Sequence, residues 1–197
     1  MRTILALAAA AAFLSWQPAL AADQSDGATD QVETPATPAQ RLDALFAELK
    51  RERNERAAER ISQRIWVEWG KSGSASVDLI MQWSQDAVAK KKYDVALDLL
   101  DQVVTLTPTF AEGWNRRATV HFLMNNPAMS MADIDRTLQI EPRHFGALSG
   151  MAQILSASGR KQSALDAWLR VLDIYPMMRS AQTEVATLSD ELTGEGI

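Results

Sequence analysis

The sequence lacks the residues on which most metal and redox chemistry depends. Among 197 residues there are two histidines and no cysteine, which excludes a disulfide framework, a thiolate metal site and a lipid-anchored N-terminal cysteine. A zinc site would need several carboxylates at spacings that no metal motif uses. No phosphate-binding glycine loop, nucleophile elbow or His-Glu-x-x-His sequence occurs either. We therefore expect a protein that is not an enzyme and has no catalytic residues, metal or cofactor.

Glycine and proline are also scarce, with nine and seven residues, whereas Ala and Leu recur throughout, and this composition favours helices. Hydrophobic residues make up 47% and charged residues 23% of the chain, as in an ordinary globular protein. The length gives room for one domain. The net charge of −5 argues against a nucleic-acid partner, because domains that bind nucleic acid are usually strongly basic.

The N-terminus has the organisation of a signal peptide. Arg2 supplies a positive charge, an apolar run follows from Ile4 to Leu14, and Ala19 and Ala21 are the small residues that precede a cleavage site. Cleavage after Ala21 would remove a 1–21 signal peptide, and we predict a periplasmic or secreted protein with no stable membrane insertion afterwards. The alternative is a membrane anchor left by an uncleaved signal, although the apolar run is short for a bilayer of about 30 Å.

A polar segment separates the signal peptide from the folded part. Residues 22–37 are acidic and contain almost no large apolar side chains, so they cannot bury enough surface to offset their ordering entropy, and we predict a flexible linker. Thr37, Pro38 and Gln40 form a capping box with proline at the first helical position. This pattern predicts that the first helix begins at Pro38.

The decisive observation is a repeat, marked by Pro108, Pro142 and Pro176 at separations of 34 residues. Twelve residues before each proline stands a small residue, and eight before stands a large apolar one. These are Ala96, Ser130 and Ala164, and then Leu100, Ile134 and Trp168. The first half of each unit carries a second apolar stripe at helical spacing. Each unit therefore predicts a helix, a tight turn and a second helix, after which proline redirects the chain.

These columns resemble the tetratricopeptide repeat (TPR) family, most clearly in AEGWNRRATVHFL, KKYDVALDLLDQVVTLTP and RKQSALDAWLRVLDIYP. The resemblance implies an all-α fold, a TPR α-solenoid, with three helix-turn-helix repeats at residues 77–110, 111–144 and 145–178. Two residues depart from the family pattern. Arg117 stands where Leu is usual, and Pro127 lies early in the second helix of its repeat.

The flanks of the three repeats are predicted to be helical as well. Continuing the 34-residue phase backward makes residues 38–76 a diverged N-terminal helical pair, a fourth repeat with its turn near Asn54 to Arg56. A single long helix from Pro38 to Trp69 is the alternative. Residues 179–197 form a capping helix and tail, because a repeat array needs a polar end. His121 is interpreted as a packed core residue and His144 as a linker residue between repeats.

The resemblance implies that a ligand binds the concave face, which the first helices of the repeats build. The matching positions are Gln82, Gln85, Asn115, Arg116, Thr119, Ser149 and Gln153. Amides and hydroxyls suit an extended peptide backbone, and Arg116 could bind a carboxylate. The family's clamp for acidic chaperone tails is absent, because its positions are occupied by Met81, Gln85, Arg116, Gly146 and Gly150.

Two functions follow as hypotheses. The first is an exported adaptor or scaffold that binds a peptide or a protein surface in its concave groove. The second is a structural subunit of a cell-envelope assembly that oligomerises through its N-terminal helices, with Trp66 and Trp69 as the interface. The sequence identifies no particular partner.

Overall fold

A computed structural model describes residues 36–194, and these residues form α-helices and no strand. The helices are α1 (Pro38–Arg51), α2 (Glu55–Trp69), α3 (Ala75–Ala89), α4 (Tyr93–Leu106), α5 (Ala111–Leu123), α6 (Pro127–Ile140), α7 (Phe145–Ala157), α8 (Lys161–Ile174) and α9 (Arg179–Gly194). None of these helices is long and apolar enough to cross a bilayer. The predicted signal peptide, nearly all of the predicted linker and the last three residues lie outside the described part.

The three repeats are the antiparallel pairs α3–α4, α5–α6 and α7–α8, and each pair turns in the same way. The turn residues Lys91, Asn125 and Gly159 have positive φ angles of 56°, 57° and 75°. The next backbone N–H then bonds back across the turn, as Lys92 N does to Ala87 O at 2.9 Å. This left-handed residue with its backward hydrogen bond is a common end of a helix, and it recurs here at the repeat spacing.

Small residues allow the two helices of each repeat to approach closely. Ser84, Ala118 and Ala152 occupy the same column, and at most 2% of each residue is exposed. The repeats then stack in order, with α4 against α5, α6 against α7 and α8 against α9. Ala181 and Leu188 are the buried residues of α9. The all-α TPR solenoid predicted from the repeats is therefore confirmed, and α9 packs on its C-terminal end.

Arg117, the departure from the family pattern, is held by acidic residues on both neighbouring helices. Its Nε and Nη2 donate to the two carboxylate oxygens of Asp133 on α6 at 2.8 and 2.7 Å, and Nη1 donates to Asp101 on α4 at 2.8 Å. The guanidinium also lies 4.8 Å from the ring centre of Trp114. Ion pairs thus replace an apolar contact at this position, and α5 keeps its regular geometry.

The N-terminal segment is two helices rather than one. The predicted capping box begins α1, because Thr37 Oγ1 accepts from Gln40 N and Gln40 Oε1 accepts from Thr37 N. Residues 52–54 separate α1 from α2, and the side chain of Asn54 caps α2 by accepting from Ala57 N at 3.0 Å.

The helical pair α1–α2 does not stack on the first repeat. Such stacking is what a fourth repeat at residues 38–76 would require. Among the described residues, the core of the first repeat contains residues of α3, α4 and α5 and none of α1 or α2. The buried residues of α1 and α2 instead share a core with α7, α8 and α9, far away in sequence. That shared core includes Phe46, Leu49, Ile65, Trp69, Phe145, Leu148, Trp168 and Val171. The apolar residues of α1–α2 thus keep the 34-residue spacing of the repeats. They cover a different surface from the one that a fourth repeat would cover.

Polar contacts surround this docked pair. Arg143, in the turn between α6 and α7, donates to Asp43 at 2.7 Å and lies 4.2 Å from the ring centre of Phe46. Lys50 pairs with Asp173 on α8 at 3.0 Å. These contacts place α1–α2 along the edge of the array where the turns between repeats lie, with Trp66 facing the groove.

Candidate functional site

Two neighbouring cavities on the concave face share lining residues. The first cavity has a volume of about 280 Å³ and the second a volume of about 210 Å³. The first is lined by Trp66, Ser84, Gln85, Val88, Leu100, Glu112, Asn115, Arg116, Thr119 and Val120. The second is lined by Asn115, Ala118, Thr119, Phe122, Ser130, Ile134, Gly146, Ala147, Ser149, Gly150, Gln153 and Ile154. Asn115 and Thr119 line both cavities, so the two form one continuous groove across α3, α5 and α7.

Most of the residues predicted to bind a ligand line this groove. Gln85 and Arg116 lie in the first cavity, and Ser149 and Gln153 lie in the second. Gln82 is exposed on α3 and lines neither cavity. In the part of the chain that the structure describes, no group of three or more acidic or histidine residues could hold a metal ion.

The polar side chains of the first cavity are joined through a buried carboxylate. Glu112 is 4% exposed, and its oxygens accept from Arg116 Nε at 2.8 Å and from Asn115 Nδ2 at 2.9 Å. Arg116 Nη1 also donates to Gln85 at 3.1 Å. Charge-assisted hydrogen bonds of this kind fix side chains in one arrangement. Glu112 therefore holds Asn115, Arg116 and, through Arg116, Gln85 in one arrangement.

His144 completes this network and was interpreted from the sequence only as a linker residue. It is fully buried and caps α7, since its Nδ1 accepts from Ala147 N at 3.1 Å. Its Nε2 lies 3.3 Å from Glu112 Oε2, so a histidine protonated at Nε2 donates to that carboxylate. Burial alone would raise the pKa of Glu112, but the contacts with His144 and Arg116 outweigh it and lower that pKa. The feature of the sequence that could have indicated this capping role is the position of His144 directly before a helix.

The alternative interface residues contact the inside of the chain. Trp69 is 6% exposed, and its ring stacks on His144 with the ring centres 4.0 Å apart and the planes 7° apart. Trp66 is half-buried and packs edge-on against Trp69, His144 and Phe145 at centre distances of 5.1 to 5.4 Å. Both tryptophans thus join α2 to the start of α7 instead of forming an exposed surface.

Comparison with known proteins decides the family. Over 177 residues the chain is 51% identical to a TPR repeat-containing protein of Rhizobium etli, an alignment that covers 90% of this chain and 86% of the relative. The chain belongs to the tetratricopeptide repeat family. It is also 27% identical over 117 residues to small glutamine-rich tetratricopeptide repeat-containing protein 2 of Saccharomyces cerevisiae, covering 59% of this chain and 34% of that relative. No protein-family model matches the sequence.

Solved structures show the same fold at low sequence identity. The first TPR domain of Spaghetti (RPAP3), bound to an HSP90 peptide, has a TM-score of 0.57 at 20% identity, covering 59% of this TPR chain and 93% of that one. The TPR2B domain of yeast Sti1, in a complex with pHsp70, has a TM-score of 0.55 at 15% identity, covering 60% and 99%. MamA has a TM-score of 0.54 at 13% identity, covering 76% and 81%.

Proposed function

We propose that this TPR protein is an exported adaptor that binds an extended segment of a partner protein in its concave groove. The observation that carries the proposal is the continuity of the two cavities through Asn115 and Thr119. A continuous groove lined by amide and hydroxyl groups can accept several consecutive residues and hydrogen-bond both the N–H and C=O groups of their backbone. Its function on this proposal is binding, with no reaction.

Two further observations support the proposal. Structures of the same fold were solved with peptides from chaperones, which makes a peptide a natural ligand class for such a groove. The partner differs from those acidic tails, because Gly146 and Gly150 stand at clamp positions and Arg116 is already paired with Glu112. Export is proposed from the signal-like segment that ends at Ala21. Assembly through Trp69 is less favoured, because that side chain is buried within the chain.

The test blocks the groove without disturbing its core. Thr119 is exposed between the two cavities, and its hydroxyl donates only to the backbone oxygen of Asn115 at 3.0 Å. Thr119→Trp should therefore fill the groove. Thr105→Trp is the matched control, because Thr105 is also exposed, lies on α4, lines neither cavity and donates to Asp101 O at 2.7 Å.

Each tagged protein is expressed with its signal peptide and recovered from an envelope extract of the native organism. Circular dichroism verifies folding, and mass spectrometry identifies bound proteins and tests for cleavage after Ala21. We expect a partner that is retained by wild type and by Thr105→Trp and lost by Thr119→Trp. Equal recovery of every partner by all three proteins would contradict binding in the groove. Recovery of the uncleaved protein from the membrane fraction alone would contradict release by signal cleavage.

A further inference from the structure

We propose that the first cavity is a pocket for one uncharged aliphatic or aromatic side chain of the bound segment, and that Trp66 forms one wall of this pocket. The inference rests on the proposed function and specifies the ligand class of that site. It also gives the N-terminal pair α1–α2 a role in recognition, although these helices lie outside the three repeats that build the rest of the groove.

The surface of the first cavity is largely carbon. Val88 on α3 and Trp66 on α2 are half-buried and line it, while Leu100 and Val120, at most 1% exposed, lie beneath that surface. The volume of about 280 Å³ accommodates one large side chain. A preformed concave site of this kind gains affinity by removing apolar surface of the ligand from water.

The charges of the cavity already satisfy one another, which determines what it can accept. The carboxylate of Glu112 contacts Arg116, Asn115 and His144, and Arg116 also contacts Gln85. A charged guest side chain would lose part of its hydration, and the charges that it would meet, Glu112 and Arg116, are already paired with each other. An uncharged apolar side chain has no such cost. We therefore infer selection against Asp, Glu, Lys and Arg at this position.

Trp66 is held in place by contacts that leave one part of its ring for the cavity. Trp69, His144 and Phe145 surround the ring edge-on at 5.1 to 5.4 Å. Position 146 must be glycine for this arrangement, because a Cβ there would lie 2.5 Å from Trp66 Cη2. The ring thus closes the groove beside α5 in a fixed orientation. A wall positioned in advance loses little conformational entropy when the ligand binds.

The remaining groove fixes the path of the segment. Asn115 and Thr119 lie between the two cavities, and Ser149 and Gln153 lie beyond them in the second cavity. A segment anchored beside Trp66 therefore passes over α5 towards α7. The apolar preference should appear at a single ligand position. The ligand positions that follow lie along the polar side chains of the second cavity and should tolerate different residues.

The experiment uses arrays of short synthetic peptides, acetylated at the N-terminus and amidated at the C-terminus, with one position varied at a time. These blocked ends exclude binding through a terminal carboxylate. Labelled protein of residues 22–197 is applied as wild type, Trp66→Ala, Val88→Trp and Trp83→Ala. Val88→Trp fills the cavity from α3 and leaves α2 unchanged. Trp83→Ala is the matched control, because Trp83 is 50% exposed and does not line the cavity.

For wild type and Trp83→Ala we expect one position at which Leu, Ile, Met or Phe binds about tenfold more tightly than Asp, Lys or Ser. Trp66→Ala and Val88→Trp should lose that preference while retaining selection at other positions. If Trp66→Ala is unfolded by circular dichroism, Val88→Trp alone decides. A preference that persists in the folded variants, or a charged preference in wild type, overturns the pocket and leaves the adaptor function standing. Failure of wild type to bind any peptide overturns both.

Discussion

At the residue scale, Glu112 determines the chemistry of the groove. It is a nearly fully buried carboxylate that contacts two of the predicted binding residues, Asn115 and Arg116, and the helix cap His144. A buried carboxylate is tolerated only when hydrogen bonds replace its hydration. The polar residues of the groove therefore stabilise the fold and position each other, so a substitution there changes stability as well as binding. For this reason, a bulky substitution at Thr119 is a better test of the groove than a substitution that removes the side chain of Arg116.

Glu112 should also make stability depend on pH. Burial would raise its pKa, but His144 and Arg116 hold it below the ordinary value of 4.5, so the unfolded state binds a proton more readily than the folded state. This stabilisation is therefore fully present above about pH 4.5 and is lost as the pH falls through the folded pKa. We expect Glu112→Gln to flatten the acid side of the pH dependence of the free energy of unfolding, measured by urea denaturation.

The control for this prediction is Glu48→Gln, because Glu48 is exposed and pairs with Arg64 on the surface at 3.1 Å. Exposed pairs contribute little to stability, so this variant should keep the pH dependence of wild type. An unchanged acid slope in Glu112→Gln would contradict the stabilising role assigned to the buried carboxylate.

At the element scale, local patterns predict helices well because they depend on local physics. The capping box at Thr37, the apolar periods and the prolines at the repeat boundaries each fix φ and ψ angles or bury one face. These features predict the α3–α8 pairs and the all-α solenoid. Most of the groove residues are predicted instead from the resemblance to the TPR family, which implies the positions on the first helix of each repeat that face the concave side.

The docking of α1–α2 could not be predicted in this way. Periodicity shows that Phe46, Trp66 and Trp69 lie on an apolar face, but it does not show which surface that face covers. The partner surface depends on residues far away in sequence, chiefly the glycine at 146 and the buried ring of His144. Both look ordinary in the sequence, a small helix residue and a turn histidine. Their roles depend on close three-dimensional packing, which a single sequence does not encode as a visible pattern.

The ion pair between α5 and α6 provides a prediction at this scale. The side chains of Arg117 and Asp133 are 16% and 4% exposed, so removing Asp133 leaves a largely buried guanidinium with only the exposed Asp101 as its acidic partner. We expect Asp133→Ala to lower the free energy of unfolding by about 3 kcal/mol. Arg117→Leu combined with Asp133→Ala should recover most of this loss, because the residue usual in the family replaces a guanidinium that has lost its bidentate partner. Urea denaturation of both single variants and the double variant measures the coupling.

The matched control for the α5–α6 pair is Asp101→Ala. Asp101 contacts the same guanidinium, but its side chain is 62% exposed, so its removal should cost less than about 1 kcal/mol. Additive effects of the two single substitutions would show that Arg117 and Asp133 are energetically independent, contrary to the geometry.

At the scale of the whole molecule, the chain departs from the rule that each repeat contacts only its neighbours. The N-terminal pair shares its core with α7, α8 and α9, while the first repeat, which lies between them in sequence, has a core of its own. The two ends of the described chain should therefore unfold together. The first repeat should behave as a separate unit, although α3 directly follows α2 in sequence.

This separation of cores predicts how a substitution in α2 affects distant helices. Trp69→Ala removes a ring that stacks on His144 and contacts Phe145. We expect this substitution to lower the free energy of unfolding of the shared core by about 3 kcal/mol. The equilibrium constant for opening of that core should then rise roughly hundredfold. We expect faster amide hydrogen exchange in α1, α2, α7 and α8, measured by mass spectrometry, with little change in α3 and α4. Trp69→Phe should stay near wild type, because it keeps an aromatic ring and removes an indole N–H that has no partner among the described residues. If α3 and α4 lost protection as strongly as α7 and α8, the chain would be one cooperative unit and the two cores would not be energetically separate.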